Sequence, residues 1–152
     1  MPSDLILLFN FLDLTNNNIT AEGVASLADA LRTNSTLTTL ILNANSIGEG
    51  GNSLAEVLKT NSTLTSLGFS ETNITLEGVL ALIDALQNNT VFNDLDLVCN
   101  YLNAEAVNTI VDKFIALSRP INVYLVDNDL TDEEAETIAL KLQNHPGIVV
   151  KA

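Results

Sequence analysis

Few residues of this 152-residue chain could do chemistry of their own. There is one histidine, His145, and one cysteine, Cys99. A thiol nucleophile needs a base beside it, and a catalytic imidazole needs a partner within hydrogen-bond reach. Cys99 has no histidine near it in sequence, and His145 precedes Pro146-Gly147 in a turn position. Structural roles fit both better: Cys99 as a half-buried small residue beside a strand, His145 as a turn residue. The run Gly48-Glu49-Gly50-Gly51 has the glycines of a phosphate loop, but no Lys and Ser/Thr follow it, and Glu49 would repel phosphate. Asp127, Asp129, Asp132, Glu133 and Glu134 offer oxygens to calcium, but not at EF-hand spacing. Arg32 and Arg119, the only cations placed to meet a phosphate, fall in helix-end turns. The expectation is a non-enzymatic protein with no cofactor and no metal.

Charge narrows the partners. There are 19 acids against 6 bases, a net charge of −13. That balance repels nucleic acid and anionic membrane surfaces and favours a partner with a basic surface. One cysteine makes no internal disulfide, which points to a reducing, cytoplasmic compartment. Leu5-Ile6-Leu7-Leu8-Phe9 is far shorter than the ~20 residues of a membrane span. It follows Asp4, and no cleavage site follows it, so it makes a poor signal peptide. Five Asn-x-Ser/Thr sequons, at Asn18, Asn34, Asn61, Asn73 and Asn88, recur at matching places in a repeat, which favours a structural role over glycosylation.

The elements that position these residues come from that repeat. LRTNSTLTTL from Leu31 returns as LKTNSTLTSL from Leu58. The pattern L-x-x-L-x-L-x-x-N-x-L, with other apolar residues allowed, starts at 9, 37, 64, 92 and 120, and a partial sixth strand is due at 148. Between the copies lie stripes at i, i+3, i+4 and i+7: Val24, Leu27, Ala28, Leu31; Val79, Leu82, Ile83, Leu86; Val107, Ile110, Val111, Phe114; Ala135, Ile138, Ala139, Leu142. Such a stripe is an amphipathic helix with one buried face. Thr20, Thr75, Asn103 and Thr131 sit where an N-cap belongs, and Thr131 with Glu134 fits a capping box. In the second copy the glycine run replaces the helix start. Each unit is a strand and a helix that bury their apolar faces only by stacking on neighbours, with the strands inside the curve.

This motif and its 27–28-residue spacing resemble the leucine-rich repeats of the ribonuclease-inhibitor type, found in ribonuclease inhibitor, NOD-like receptors and tropomodulin. The resemblance implies one α/β domain over residues 1–152. It is a right-handed solenoid of about five repeats, with a parallel sheet on the concave face and helices on the convex face. It implies a ladder of Asn17, Asn45, Asn100 and Asn128 bonded to the turns, weakened in the third copy where Thr72 stands. It also implies that the third and fifth motif positions face the concave side: Phe11, Thr39, Ser66, Asp94, Asn122 in one column and Asp13, Ile41, Gly68, Asp96, Tyr124 in the other. Glu71 and Asp127 lie next to them.

The expected function is protein binding through that face, carried by Phe11, Asp13, Ile41, Glu71, Asp94, Asp96, Tyr124 and Asp127. Ser66 and Gly68 would leave a shallow depression, bordered by Asp94, Asp96 and Asp127. The alternatives are an effector-type repeat protein acting in host-cell cytoplasm, tropomodulin-like cytoskeletal binding, and GTPase activation. The apolar Leu5–Phe9 edge is expected to be covered by folding back, by self-association or by a segment outside this chain.

Overall fold

The computed structural model describes residues 9–150. Six short strands alternate with five helices: β1 (Phe11–Asp13), α1 (Ala21–Leu31), β2 (Thr39–Ile41), α2 (Gly51–Leu58), β3 (Ser66–Gly68), α3 (Leu76–Ala85), β4 (Asp94–Asp96), α4 (Ala104–Ala116), β5 (Asn122–Tyr124), α5 (Asp132–Lys141) and β6 (Ile148–Val149). The strands form one parallel sheet in chain order, β1 to β6. Strands stack about 4.8 Å apart and helices about 8–10 Å apart, so the stack curves with its sheet inside.

Alternation along each strand decides what is core. The middle residues Leu40, Leu67, Leu95 and Val123 are fully buried, facing the helices. Their neighbours stay in register from strand to strand, Phe11–Thr39–Ser66–Asp94–Asn122 and Asp13–Ile41–Gly68–Asp96–Tyr124. These two columns form the open face. The helix stripes are buried, with two departures: Leu27 is half-buried and Ala139 is exposed. Its helix, α5, is the last, and no described helix packs on its far side. Thr75, Asn103 and Thr131 cap their helices by accepting backbone N–H groups, and Thr131 and Glu134 form the reciprocal box. Thr20 holds the same place at α1, but its side chain makes no such bond.

The glycine run is a packing device. Gly48–Gly50 forms a 3₁₀ turn that leads into the eight-residue α2. A Cβ on Gly51 would come within 3.0 Å of the Gly78 Cα in α3, so α2 and α3 approach backbone to backbone. No larger residue fits without moving a helix.

Side-chain amides tie the turns together. Asn45 Oδ1 accepts the N–H groups of Asn17 and Ile19, and its amide donates to the carbonyls of Leu14 and Leu42. Asn128 does the same for Asn100, Leu102, Leu97 and Leu125. Asn17, at the first turn, is exposed and donates only to Thr15 O. Thr72 is fully buried, and its hydroxyl serves Phe69 O and Asn100 Oδ1. It sends no side-chain bond to the second copy, which is held there by Ile47 N–H on the Thr72 carbonyl. Thr72→Asn is therefore expected to restore the missing rung and raise stability by about 1 kcal/mol. A urea midpoint equal to or below wild type would count against it.

Candidate binding face

Among the described residues, the open face of the sheet carries acids without cations. Asp13, Asp94 and Asp96 project from the strands, and Glu71 and Asp127 lie just beyond them in the turns. Five of the six basic residues fall within the described structure, and all are engaged elsewhere. Arg32 pairs with Asp29, Lys59 with Glu56, Lys113 with Asp84 and Lys141 with Asp112, on the helical side. Arg119 donates to the carbonyls of Phe92 and Asn89. No described cation neutralises the face.

At its middle lies a depression of about 380 Å³, lined by Ile41, Ser66, Gly68, Asp94, Asp96 and Tyr124 among others. Gly68 and the small Ser66 make the room. The Ile41 side chain partly fills it, since a Cβ on Gly68 would meet Ile41 Cδ1 at 2.9 Å. Ser66 Oγ donates to Asp94 Oδ1. Val98 N–H donates to Asp96 Oδ1 and fixes that carboxylate at the strand end. Asp13 is fixed likewise by the N–H and hydroxyl of Thr15.

These two carboxyls differ in their electrostatics. The hydroxyl and N–H of Thr15 lower the Asp13 pKa. Partial burial raises that of Asp96, and the charge of Asp94 adds to it, against the Val98 bond. Asp96 is therefore a carboxylate held in unfavourable surroundings with no cation beside it. Because its folded pKa lies above the unfolded value, ionisation at neutral pH works against folding. The penalty is relieved as pH falls and the folded form takes up the proton first. Asp96→Asn is expected to match or exceed wild-type stability at pH 7, and the difference is expected to vanish in acid, where both states are protonated. Lower stability of the variant at pH 7 would overturn this.

The other expected site residues are placed differently. Asp127 does not border the depression. It and Glu71 adopt left-handed backbone, as Cys99 between them does, because the turn after each strand reverses there. Burial, and then the charges of Asp127, Glu71 and Asp96, push the Cys99 thiol up, so it stays protonated and poorly nucleophilic. Phe11 sits on the first strand, at the N-terminal edge, away from the depression. Leu5–Leu8 lie outside the described residues. The His145 N–H donates to Leu142 O in a turn beside α5. No group of three or more His, Cys, Asp or Glu side chains among the described residues is arranged to hold a metal. No described helix is long and apolar enough to cross a membrane.

Asn34, Asn61 and Asn89 recur at one turn position, 27 and 28 residues apart. They build a second ladder. Asn61 donates to the carbonyls of Leu31 and Asn34 and accepts the N–H groups of Thr63 and Leu64, and Asn89 repeats this one layer on. Their recurrence at a fixed spacing was the available signal. No signal marked Arg119, which takes over where Leu117 breaks the series.

The comparisons agree with this architecture. The profile of a family described as Leucine Rich repeat matches residues 9–28 and 60–82. Both segments contain a strand and much of the helix that follows it. No curated protein sequence matches the chain. Solved chains that match number 52. One is named Leiomodin-1 Actin-Binding Site 2 (ABS2), with a TM-score of 0.67 and 20% identity, over 88% of this chain and 78% of that one. That likeness is one of fold: the chain is a leucine-rich-repeat solenoid of about five units.

Proposed function

We propose that this solenoid is a protein-binding module, that it takes its partner on the open face of the sheet, and that the partner presents a basic loop or helix. The observation that carries this reading is a face with acids and, among the described residues, no cation of its own. Tyr124 and Ile41 stand beside Asp94 and Asp96 at the depression, an aromatic and an aliphatic anchor among charges. Charge would steer the encounter, and the anchors would hold it. A cytoplasmic setting suits the single cysteine. Neither arginine of the turns is free to reach a phosphate, which favours binding over GTPase activation.

A pull-down from cytosolic extract, read by mass spectrometry, tests the proposal. Wild type is compared with a variant carrying Asp94→Asn, Asp96→Asn and Tyr124→Ala, at low and moderate salt. The expected result is one basic protein captured by wild type, lost from the variant and weakened by salt. Capture of the same set by both overturns the reading. Cosedimentation with filamentous actin is a separate arm, because the leiomodin structure bears the name of an actin-binding site. Retention on actin by both proteins would move attention from this face to another.

A further inference from the structure

Charge on this molecule is sorted by edge. All five described bases lie at the C-terminal ends of helices or just past them. Arg32 and Lys59 occupy the C-cap positions of α1 and α2, Lys113 and Lys141 fall in the last turns of α4 and α5, and Arg119 follows α4. The opposite edge, where strands turn into helices, carries Glu71, Glu77, Glu105, Asp127 and Asp129, all exposed, and no described base. Glu77 and Glu105 sit in first turns, where a carboxylate also answers the helix dipole. Glu71, Asp127 and Asp129 stand in turns outside the helices.

Tyr101 stands on that acidic edge. It is 79% exposed, and its backbone is left-handed, with φ 57°. Asn18 and Asn73 hold the same place in the first and third copies, with φ 55° and 54°. Asparagine tolerates this conformation, but a bulky aromatic residue is strained in it. Packing within the fold does not offset the strain, because the residue is mostly exposed. Strain that the fold itself does not use points to function. Beside Tyr101 a groove of about 470 Å³ runs between the starts of α3 and α4. Ile74, Leu76, Leu102 and Ala106 form its apolar floor, and Tyr101 and Glu105 stand at its exposed rim.

We propose that this groove is a second docking surface, which takes a basic segment of a partner protein. An aliphatic side chain of the segment enters the groove, a cationic one lies over the Tyr101 ring, and the carboxylates of the edge steer both. The surface lies on the turn edge rather than on the open face of the sheet, and it stands whether or not that face binds.

NMR titration of the labelled full chain with the peptide acetyl-Lys-Arg-Leu-Leu-Arg-Lys-amide tests it. Wild type is compared with Tyr101→Asn, which leaves the net charge unchanged. In wild type the shifts are expected to centre on Leu76, Tyr101 and Thr109. Tyr101→Asn is expected to weaken binding there on the order of fivefold. The same substitution is expected to raise the urea midpoint by about 0.3 M, because it relieves the backbone. Weaker binding by a more stable chain is not the mark of a damaged fold. Shifts confined to Ser66, Asp94 and Tyr124 would give the peptide to the open face alone and overturn the proposal. It is equally overturned by shifts scattered over all the acids, by no shifts, by unchanged affinity in Tyr101→Asn, or by a variant no more stable than wild type.

Discussion

Asn100→Ala is expected to cost about 3–4 kcal/mol of folding stability, while Asn17→Ala is expected to stay within about 0.5 kcal/mol of wild type. Both are ladder asparagines, and only their bonding differs. The Asn100 side chain is the busiest joint between the third and fourth copies. Its Oδ1 accepts the N–H groups of Thr72 and Ile74 and the Thr72 hydroxyl, and its amide donates to the carbonyls of Phe69 and Val98. The residue is only 4% exposed. Alanine would leave two buried N–H groups unmet, while the Phe69 and Val98 carbonyls keep the Thr72 hydroxyl and the Glu71 N–H; an unmet buried group costs about 1–3 kcal/mol before relaxation. Water entering the turn would recover part of that. Asn17 is exposed, so water replaces its one bond to Thr15 O. Urea unfolding at pH 7 measures both. A loss below about 1 kcal/mol for Asn100→Ala would mean that apolar stacking, not the amide ladder, holds the units together.

This contrast marks what the sequence could and could not reveal. Strand and helix positions were legible because the Leu pattern is redundant: five copies repeat the same demand for burial. The two face columns were implied by the resemblance to leucine-rich repeats, and the strand register agrees with them. Bonding strength was not legible, because Asn17 and Asn100 are identical letters with different neighbours. The depression was legible from Ser66 and Gly68, and Asp94 and Asp96 do border it, but Asp127 does not. Asp127 follows the strand by three residues, and the left-handed turn carries it toward Cys99 instead. Ala139 is exposed because no described helix packs beyond α5, which an apolar stripe cannot encode. Thr72 was legible as a departure, and its hydroxyl does serve the local turn while leaving the rung to the second copy unmade.

Arg119 is the position where the sequence was least informative and where a single substitution is expected to act locally. The asparagine series that links successive helix-end turns stops at Leu117. The Arg119 guanidinium reaches back in its place, donating to Phe92 O at 2.7 Å and Asn89 O at 2.8 Å. Its Nε is buried with no partner, and burial pulls its pKa down, though arginine stays charged. Arg119→Met keeps much of the stem but leaves both carbonyls unmet. It also removes the buried charge, which offsets part of the loss, so the expected cost is about 2 kcal/mol. Lysine is expected to recover less than half of it, because one ammonium cannot reproduce a planar fork across two carbonyls. The loss should not spread evenly. In a stacked array each unit leans on its neighbours, so weakening the joint between the fourth and fifth copies frees the C-terminal end first. Amide hydrogen exchange is expected to accelerate in α5 and around β6 while α2 and α3 keep their protection. Uniform acceleration would place Arg119 in the global folding unit. Unchanged exchange would mean that Pro120 and Ile121 hold the turn by packing alone.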